Sequence, residues 1–304
     1  MLLAMSALGI TVCGGERKPA PAFQSAEPAT PRPELPAQNA GKKVILVVSF
    51  GTSYNKSRAA TIGAIEAAIT RAFTGFEVRR AFTSQIIINK LKNRDNEQID
   101  RVGEAMNRLM ADGVKTLVVQ PTHMMNGFEY DDMVEIVTSF KDKFDTLSIG
   151  APLLSSDADY AELAGILMAE TAPYNADKTA VVFMGHGTEH PANAAYAKLN
   201  GVVKAMDNTK NYHIGTVEAE PTLEDIMAEV AQGDIAKVVL LPLMIVAGDH
   251  ANNDMAGDEE DSWKARFKGA GYEVACVLKG LGEYAGIQKM FVAHTQDAID
   301  ALGK

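Results

Sequence analysis

The sequence predicts an α/β protein made of two duplicated Rossmann-like domains, each a parallel sheet flanked by helices. Apolar runs without alternation recur along the chain, and such runs are typical of strands that are covered on both faces. Stretches with helical spacing lie between them, which favours parallel strands joined by helical crossovers. The third observation is a repeat, because the order of strands and helices begins again in the second half of the chain.

The first half reads as four strands that alternate with three helices. Ile62, Ile65 and Ile69 recur at helical spacing and predict one apolar face of the first helix. The predicted strands cover 44–52, 76–82, 114–120 and 146–152, and the predicted helices cover 56–74, 96–112 and 131–144.

The second half repeats this alternation after a helix at 160–170. Its apolar runs are again short and bounded by glycine, proline or polar residues, as expected of buried strands. The predicted strands cover 179–185, 213–218, 237–241 and 272–278, and the predicted helices cover 192–206, 223–232 and 285–302.

The repeat can be followed residue by residue. The run 44–52 aligns with 180–188, and Gly-Thr ends both runs. Pro121 and Pro242 occupy matching places, and Glu129 and His250 each come eight residues later. We therefore expect two domains, 42–155 and 156–304, whose strand ends face a shared cleft with Glu129 and His250 on opposite walls.

Composition excludes several classes of function. The 304 residues carry a net charge of −10, which argues against nucleic-acid binding because no basic surplus is available to neutralise phosphates. Two cysteines, Cys13 and Cys276, cannot provide a disulfide framework or a zinc cluster. The glycine-containing turns match no dinucleotide or P-loop fingerprint, so we expect no nucleotide cofactor.

The N-terminal region predicts export. Residues 1–12 form an apolar run that is too short to span a bilayer and resembles the core of a secretory signal. Residues 14–41 are rich in Pro, Ala and polar residues, as in a flexible linker. We expect residues 1–41 to be a signal peptide with a disordered linker, and the mature protein to be periplasmic and not membrane-spanning.

Two histidines stand where open α/β sheets place their ligands. His186 and His250 both follow a predicted buried strand and lie beside glycine, at the carboxyl end of that strand. Two imidazoles with the carboxylate of Glu129 suit a borderline divalent ion such as Co²⁺, Ni²⁺, Fe²⁺ or Zn²⁺ and leave coordination positions open. A lone histidine is commonly a structural group, but two at matching strand ends favour a metal-handling role.

His123 also follows a predicted strand, but its neighbours are apolar. Packing in the core is one interpretation of this residue. The other is an axial ligand to haem, because an imidazole among methionines suits that role.

Several longer stretches carry a family resemblance over residues 43–304. These stretches are VVSFGTSY at 47–54, RAFTS at 80–84, APLLSS at 151–156, VFMGHG at 182–187, PLMIVAGDH at 242–250 and DSWK at 261–264. Through them the chain resembles the CbiK-type sirohydrochlorin cobaltochelatases, which are class II chelatases related in fold to ferrochelatase, and this resemblance implies two chelatase-type domains.

The resemblance implies insertion of Co²⁺, or of Fe²⁺, into sirohydrochlorin without ATP. His186 and His250 would handle the metal with Glu129 as the carboxylate partner, and Glu218 would be a further carboxylate of the cleft. The substrate carries eight carboxylates, so hydrogen-bond donors must cluster locally. Candidates for that role are Ser53, Arg80, Thr83 and Ser84.

Other functions stay open from the sequence. A periplasmic protein that binds or carries haem or another metallotetrapyrrole would use His123, and a two-domain periplasmic solute receptor would fit the architecture. We expect the partners to be a tetrapyrrole and a divalent metal ion, with no nucleic acid, and homo-oligomerisation is left open.

Overall fold

Two four-stranded parallel sheets form the centre of the protein. The computed structural model describes residues 41–302, so nearly all of the expected leader 1–41 lies outside it. The first sheet has the order β2-β1-β3-β4 and the second has the order β6-β5-β7-β8. The strands are β1 (Lys42–Ser49), β2 (Glu77–Phe82), β3 (Val114–Pro121), β4 (Thr146–Ile149), β5 (Thr179–Gly185), β6 (Tyr212–Thr216), β7 (Lys237–Pro242) and β8 (Glu273–Cys276).

Helices cover both faces of each sheet, as the buried patterns of the central strands require. All six residues from Val44 to Ser49 are buried, and so is every residue of β5. The helices are α1 (Asn55–Ala60), α2 (Ile62–Ala72), α3 (Gln85–Asp95), α4 (Val102–Ala111), α5 (Phe128–Thr138), α6 (Asp157–Thr171), α7 (Ala194–Met206), α8 (Leu223–Val230), α9 (Trp263–Gly269) and α10 (Ala285–Asp300).

The predicted fold class and its duplication are confirmed. The two sheets share one strand order, and their strand ends carry matching hydrogen bonds. The amide of Thr122 donates to the carbonyl of Val48 at 2.8 Å, and that of Leu243 donates to Met184 at 2.7 Å. Gly51 and Gly187, which follow the first strand of each half, both adopt positive φ, at 103° and 86°.

The core runs across both halves of the chain. One buried apolar cluster contains Val47 and Val118 from the first sheet and Phe183 and Leu241 from the second. The last helix, α10, packs on α2 and β3 although it follows the second sheet in sequence. The domain limits 42–155 and 156–304 therefore stay a prediction, and the halves share a core.

Two helices were not predicted from the sequence, and the helices predicted at 56–74 and 96–112 were drawn too long, the second being observed only at Val102–Ala111. α3 begins at three consecutive isoleucines, which show no helical period; the Ser84 hydroxyl accepts a hydrogen bond from the Ile87 amide and starts the helix. α9 begins in the same way, because the hydroxyl of Ser262 accepts a hydrogen bond from the Ala265 amide. The helix predicted at 56–74 is divided at Thr61, whose ψ of −81° lies outside the helical region.

Within residues 41–302, none of the helices combines the length and the apolar character that crossing a bilayer requires.

Candidate metal centre

A cavity of about 300 Å³ lies where the strand ends of the two sheets face each other. Its walls come from the loops that follow β1, β3, β5 and β7, so residues from both halves meet there. Parallel sheets place ligand sites at the carboxyl ends of their strands, and this cavity occupies that position. The wall residues include Ser53, Tyr54, His123, Glu129, Tyr130, His186, Tyr196, Asp249 and His250.

Three side chains form a group with the spacing that a metal ion needs. One ligand atom from each of His186, Glu218 and His250 lies within 4.8 Å of the others. The imidazole rings of His186 and His250 meet edge to face with their centroids 4.5 Å apart. Nδ1 of His186 lies 3.7 Å from Oε2 of Glu218. Nitrogen and oxygen ligands sit about 2.0–2.2 Å from an ion such as Zn²⁺, so small side-chain rotations would close this group on a cation.

The backbone and a second carboxylate orient the two imidazoles. Nδ1 of His250 lies 2.6 Å from Oδ2 of Asp254, which leaves Nε2 of His250 to bind a metal ion. Asp254 comes four residues later, on the π-helical turn Ala251–Met255. His186 directs Nδ1 at the carbonyl oxygen of Gly187, 2.7 Å away. The ring planes are therefore held by groups outside the three-residue set.

Gly187 sets the spacing of two side chains of the three-residue group. Its φ of +86° suits glycine, and a Cβ at this position would lie 2.8 Å from the backbone nitrogen of Ala219. Ala219 follows Glu218, and the Glu218 amide donates to the carbonyl of His186 at 2.9 Å. The close approach at Gly187 thus sets the distance between the His186 and Glu218 loops.

The predicted residues Glu129 and His123 lie on the same cavity wall but outside the three-residue group. Glu129 stands in the first turn of α5, and the carboxylate that joins the histidines within 4.8 Å is Glu218. A metal-ligand role for Glu129 stays a prediction. Both ring nitrogens of His123 are buried without a hydrogen-bond partner, and burial lowers its pKa to about 4.

The four residues predicted to bind the substrate fall in different places. Ser53 lines the cavity, whereas Arg80, Thr83 and Ser84 do not. The guanidinium of Arg80 donates to both carboxylate oxygens of Glu66. Burial alone would lower the pKa of Arg80, but the bonds to Glu66 raise it. Ser84 caps α3, so a substrate-binding role for these three residues stays a prediction without a cavity contact behind it.

Two polar contacts join the two halves of the chain, one of them between residues that line the cavity. The Tyr54 hydroxyl donates to Oδ1 of Asp249 at 3.3 Å, and burial together with the Asp249 charge raises the pKa of Tyr54. From the second half, Nε2 of His190 lies 3.3 Å from Oδ2 of Asp131. His190 aligns with Tyr54 in the sequence repeat, but their partners do not correspond, because Asp249 aligns with Phe128 rather than with Asp131.

Sequence reasoning missed Asp254, Asp249 and Tyr196 as site residues. Asp254 follows His250 by four residues. Side chains four residues apart meet on one face of a helical turn, so this spacing could have predicted the contact. The contact between Tyr54 and Asp249 joins distant parts of the chain and left no local pattern. The Tyr196 hydroxyl accepts from the Gly187 amide at 3.4 Å, again across a distance that sequence spacing does not reveal.

Comparison with known proteins decides the family. The family model described as cobalt chelatase (CbiK) matches residues 43–300. The chain belongs to the CbiK cobalt chelatase family. Sirohydrochlorin cobaltochelatase of Salmonella typhimurium is 41% identical over 259 residues, which are 85% of this chain and 97% of that protein. Sirohydrochlorin cobaltochelatase CbiKC of Nitratidesulfovibrio vulgaris is 35% identical over 284 residues, which are 93% of this chain and 98% of that protein.

Solved structures agree with the CbiK assignment at the level of the fold. SirB from Bacillus subtilis with Fe³⁺ superposes with a TM-score of 0.58 at 12% identity, over 84% of this chain and 95% of SirB. The structure of CbiX superposes with a TM-score of 0.51 at 16% identity, over 84% of this chain and 99% of CbiX. The fold of this chain, with its two four-stranded parallel sheets, is therefore similar to that of these two chelatase structures.

Proposed function

We propose that this protein is a sirohydrochlorin cobaltochelatase, which inserts Co²⁺ into the macrocycle without ATP. The observation that carries the proposal is the group formed by His186, Glu218 and His250, whose two histidines line a cavity between two parallel sheets. The two cobaltochelatases that match most of this chain support the choice of substrate and metal.

The chemistry of insertion explains why such a group is useful. Metal insertion must present a partly dehydrated cation to the ring nitrogens and remove two pyrrole N–H protons. Two imidazoles and a carboxylate bind a borderline divalent ion yet leave coordination positions open, so the ion can leave for the macrocycle. An imidazole nitrogen can also act as a general base, which suits His186 and His250 to the second task.

The cavity walls fit a flat apolar ring with polar edges. Met124, Ile245 and Val246 supply apolar surface, and the Tyr54–Asp249 contact closes one side of the cavity. Because the group with His186 lies on this wall, a macrocycle held against the apolar residues would turn its nitrogens towards the metal.

The test is an anaerobic assay of sirohydrochlorin with Co²⁺, followed by the absorbance change on metal insertion. We expect His186→Ala, His250→Ala and Glu218→Gln each to lower kcat/KM by about 10²-fold or more, because each removes a metal ligand or a proton acceptor. His213→Gln is the matched control, since His213 pairs with Glu229 and does not line the cavity. Full activity of His186→Ala would refute the assignment.

The same assay with Fe²⁺ separates the two metals that the sequence left open. One structure of SirB from Bacillus subtilis is with Fe³⁺ and a second is in complex with cobalt, so related chelatases accommodate both elements. The donor set of two imidazoles and a carboxylate suits either ion. We expect insertion of both, with the ratio of kcat/KM values giving the preferred metal.

A haem-binding function through His123 is not favoured by these relatives, because the chain matches two cobaltochelatases over nearly their whole length. Spectra of purified protein after haem addition test it directly. A Soret band that disappears in His123→Ala would revive that function.

We also propose that the protein is exported. The apolar run at 1–12 and the Pro- and Ala-rich stretch that follows support this. Fractionation of the native host and N-terminal sequencing of the mature protein test it; an unprocessed protein confined to the cytoplasm would refute export.

A further inference from the structure

The charge of the proposed substrate poses a problem that the main cavity does not solve. This inference rests on the proposed function, because it concerns where the eight carboxylates of sirohydrochlorin would lie. Among the described residues 41–302, those lining the cavity include no Lys or Arg, but they do include Glu129 and Asp249. Arg80, which the sequence suggested for this purpose, is bound to Glu66. The carboxylates need cations elsewhere.

A second pocket opens directly beside the cavity. The two share Ser53 and Tyr54 as wall residues, so a ligand that extends past Tyr54 would enter the second pocket. Three cationic residues line it: Lys56 near the start of α1, and Lys90 and Arg94 on α3. In a protein with a net charge of −10, this is a local concentration of positive charge at the edge of the cleft.

Of these cations, the two lysines are available to a ligand. The side chains of Lys56 and Lys90 take part in none of the ion pairs formed within residues 41–302, and both residues are exposed. Arg94 already binds both carboxylate oxygens of Asp95 through Nε and Nη2, and its Nη2 also donates to the Ser53 carbonyl at 2.7 Å. Arg94 is thereby fixed against the loop that the two pockets share, with its charge largely balanced by Asp95.

Little negative charge opposes them on the pocket wall. Glu283 is the one carboxylate among the wall residues that the structure describes, and its Oε1 already accepts a hydrogen bond from the Gly280 amide at 3.0 Å. Asn252 lines the pocket too, with its amide donating to the Gly248 carbonyl at 2.6 Å. The wall therefore carries two lysines outside any ion pair within residues 41–302 and one arginine paired with Asp95, against one carboxylate.

We propose that Lys56, Lys90 and Arg94 form a carboxylate-binding subsite for the acidic arms of the tetrapyrrole. The macrocycle lies in the apolar cavity, and its arms on one edge pass Tyr54 into the cationic pocket. Charge-assisted hydrogen bonds from ammonium and guanidinium groups to carboxylates are stronger than neutral ones, and they fix the ring's rotation in the cleft. The subsite thus selects macrocycles with many carboxylates.

The double variant Lys56→Glu/Lys90→Glu tests the subsite and leaves Arg94 to hold the Ser53 loop. We expect KM for sirohydrochlorin to rise about tenfold or more, because two attractive contacts become repulsive, while kcat stays within about twofold. Lys92→Glu/Lys289→Glu is the matched control: both lysines are exposed, lie on α3 and α10 and line neither pocket, and the change in net charge is identical. An unchanged KM in the test variant, or an equal rise in the control, would overturn the proposal.

Binding of two porphyrins separates this inference from the proposed function. Fluorescence titration compares uroporphyrin, which has eight carboxylates, with deuteroporphyrin, which has two. We expect the test variant to bind uroporphyrin about tenfold more weakly and to bind deuteroporphyrin nearly as the unaltered protein does. Equal losses for both porphyrins would refute the subsite even if chelation is demonstrated. An unaltered protein that inserts no metal would refute the proposed function, and the titration would still decide the subsite.

Discussion

The imidazole rings of His186 and His250 meet edge to face, with their centroids 4.5 Å apart and their planes at 85°. His186 follows β5 and His250 follows β7, and these two strands are neighbours in the second sheet. The two histidines therefore lie close together. Glu218, after β6 on the other side of β5, completes the group. The three-residue group is therefore a product of sheet order, with one side chain following each of three neighbouring strands.

The orientation of His250 should depend on Asp254. We expect Asp254→Ala to weaken Co²⁺ binding by about 10- to 100-fold, because loss of the 2.6 Å contact frees the ring to turn and makes Nε2 a poorer ligand. Isothermal titration with Co²⁺ measures the effect. Asp261→Ala, an exposed carboxylate on the following loop, is the control and should bind Co²⁺ normally. Equal affinity of the two variants would contradict an orienting role.

The loop geometry at Gly187 should be intolerant of a side chain. Gly187→Ala forces a non-glycine residue to φ +86° and places its Cβ 2.8 Å from the Ala219 nitrogen. We expect a loss of about 1–3 kcal/mol in the free energy of unfolding and at least tenfold weaker Co²⁺ binding, since Glu218 must shift. Gly201→Ala, in α7 with no atom within 4 Å of the new Cβ, should be neutral or stabilising. Similar behaviour of both variants would show that the loop adapts.

The contact between Asp159 and His294 should stabilise the protein in a pH-dependent way. Burial would raise the pKa of Asp159, but hydrogen bonds from Ser155, His294 and Ser156 outweigh it and lower the pKa to about 2. A lowered carboxyl pKa gives stability that is present above the unfolded value of 3.8 and is lost as the pH falls through 2.

We therefore expect Asp159→Asn to lower the free energy of unfolding by about 2 kcal/mol at pH 7, with the difference from the unaltered protein about halved at pH 3. Urea titrations at both pH values measure this. Asp157→Asn is the control, because Asp157 pairs with Lys198 at the exposed surface and should change stability little. A deficit that does not vary with pH would argue against this assignment.

His123 should make the protein sensitive to acid. Its folded pKa of about 4 lies below the unfolded value of 6.5, so the unfolded chain takes up the proton first and stability is lost as the pH falls below 6.5. Between pH 7.5 and pH 5, this proton uptake lowers the free energy of unfolding by about 2 kcal/mol. Over the same pH interval, we expect the free energy of unfolding of His123→Leu to fall by about 2 kcal/mol less than that of the unaltered protein. Denaturant unfolding at the two pH values checks it, and identical losses would show that His123 is not the titrating group. Burial lowers the pKa of His213 in both proteins, so its contribution cancels in the comparison.

Local sequence patterns were enough to predict the fold class, the duplication and the positions of His186 and His250 at strand ends. Buried parallel strands leave apolar runs, and glycines mark the turns beyond them, so these features need no knowledge of distant contacts. α3 and α9 left weaker patterns, since capping by Ser84 and Ser262 rather than apolar periodicity starts them.

Which groups meet in space followed from the packing of the whole chain. The three-dimensional arrangement placed Glu218 rather than Glu129 beside the histidines, bound Arg80 to Glu66 and brought Lys56 together with Lys90 at the mouth of the cleft. The physical reason is that the end of a strand fixes the backbone position of a residue. The residue that its side chain then contacts depends on strand order and on how the two sheets pack through their shared core.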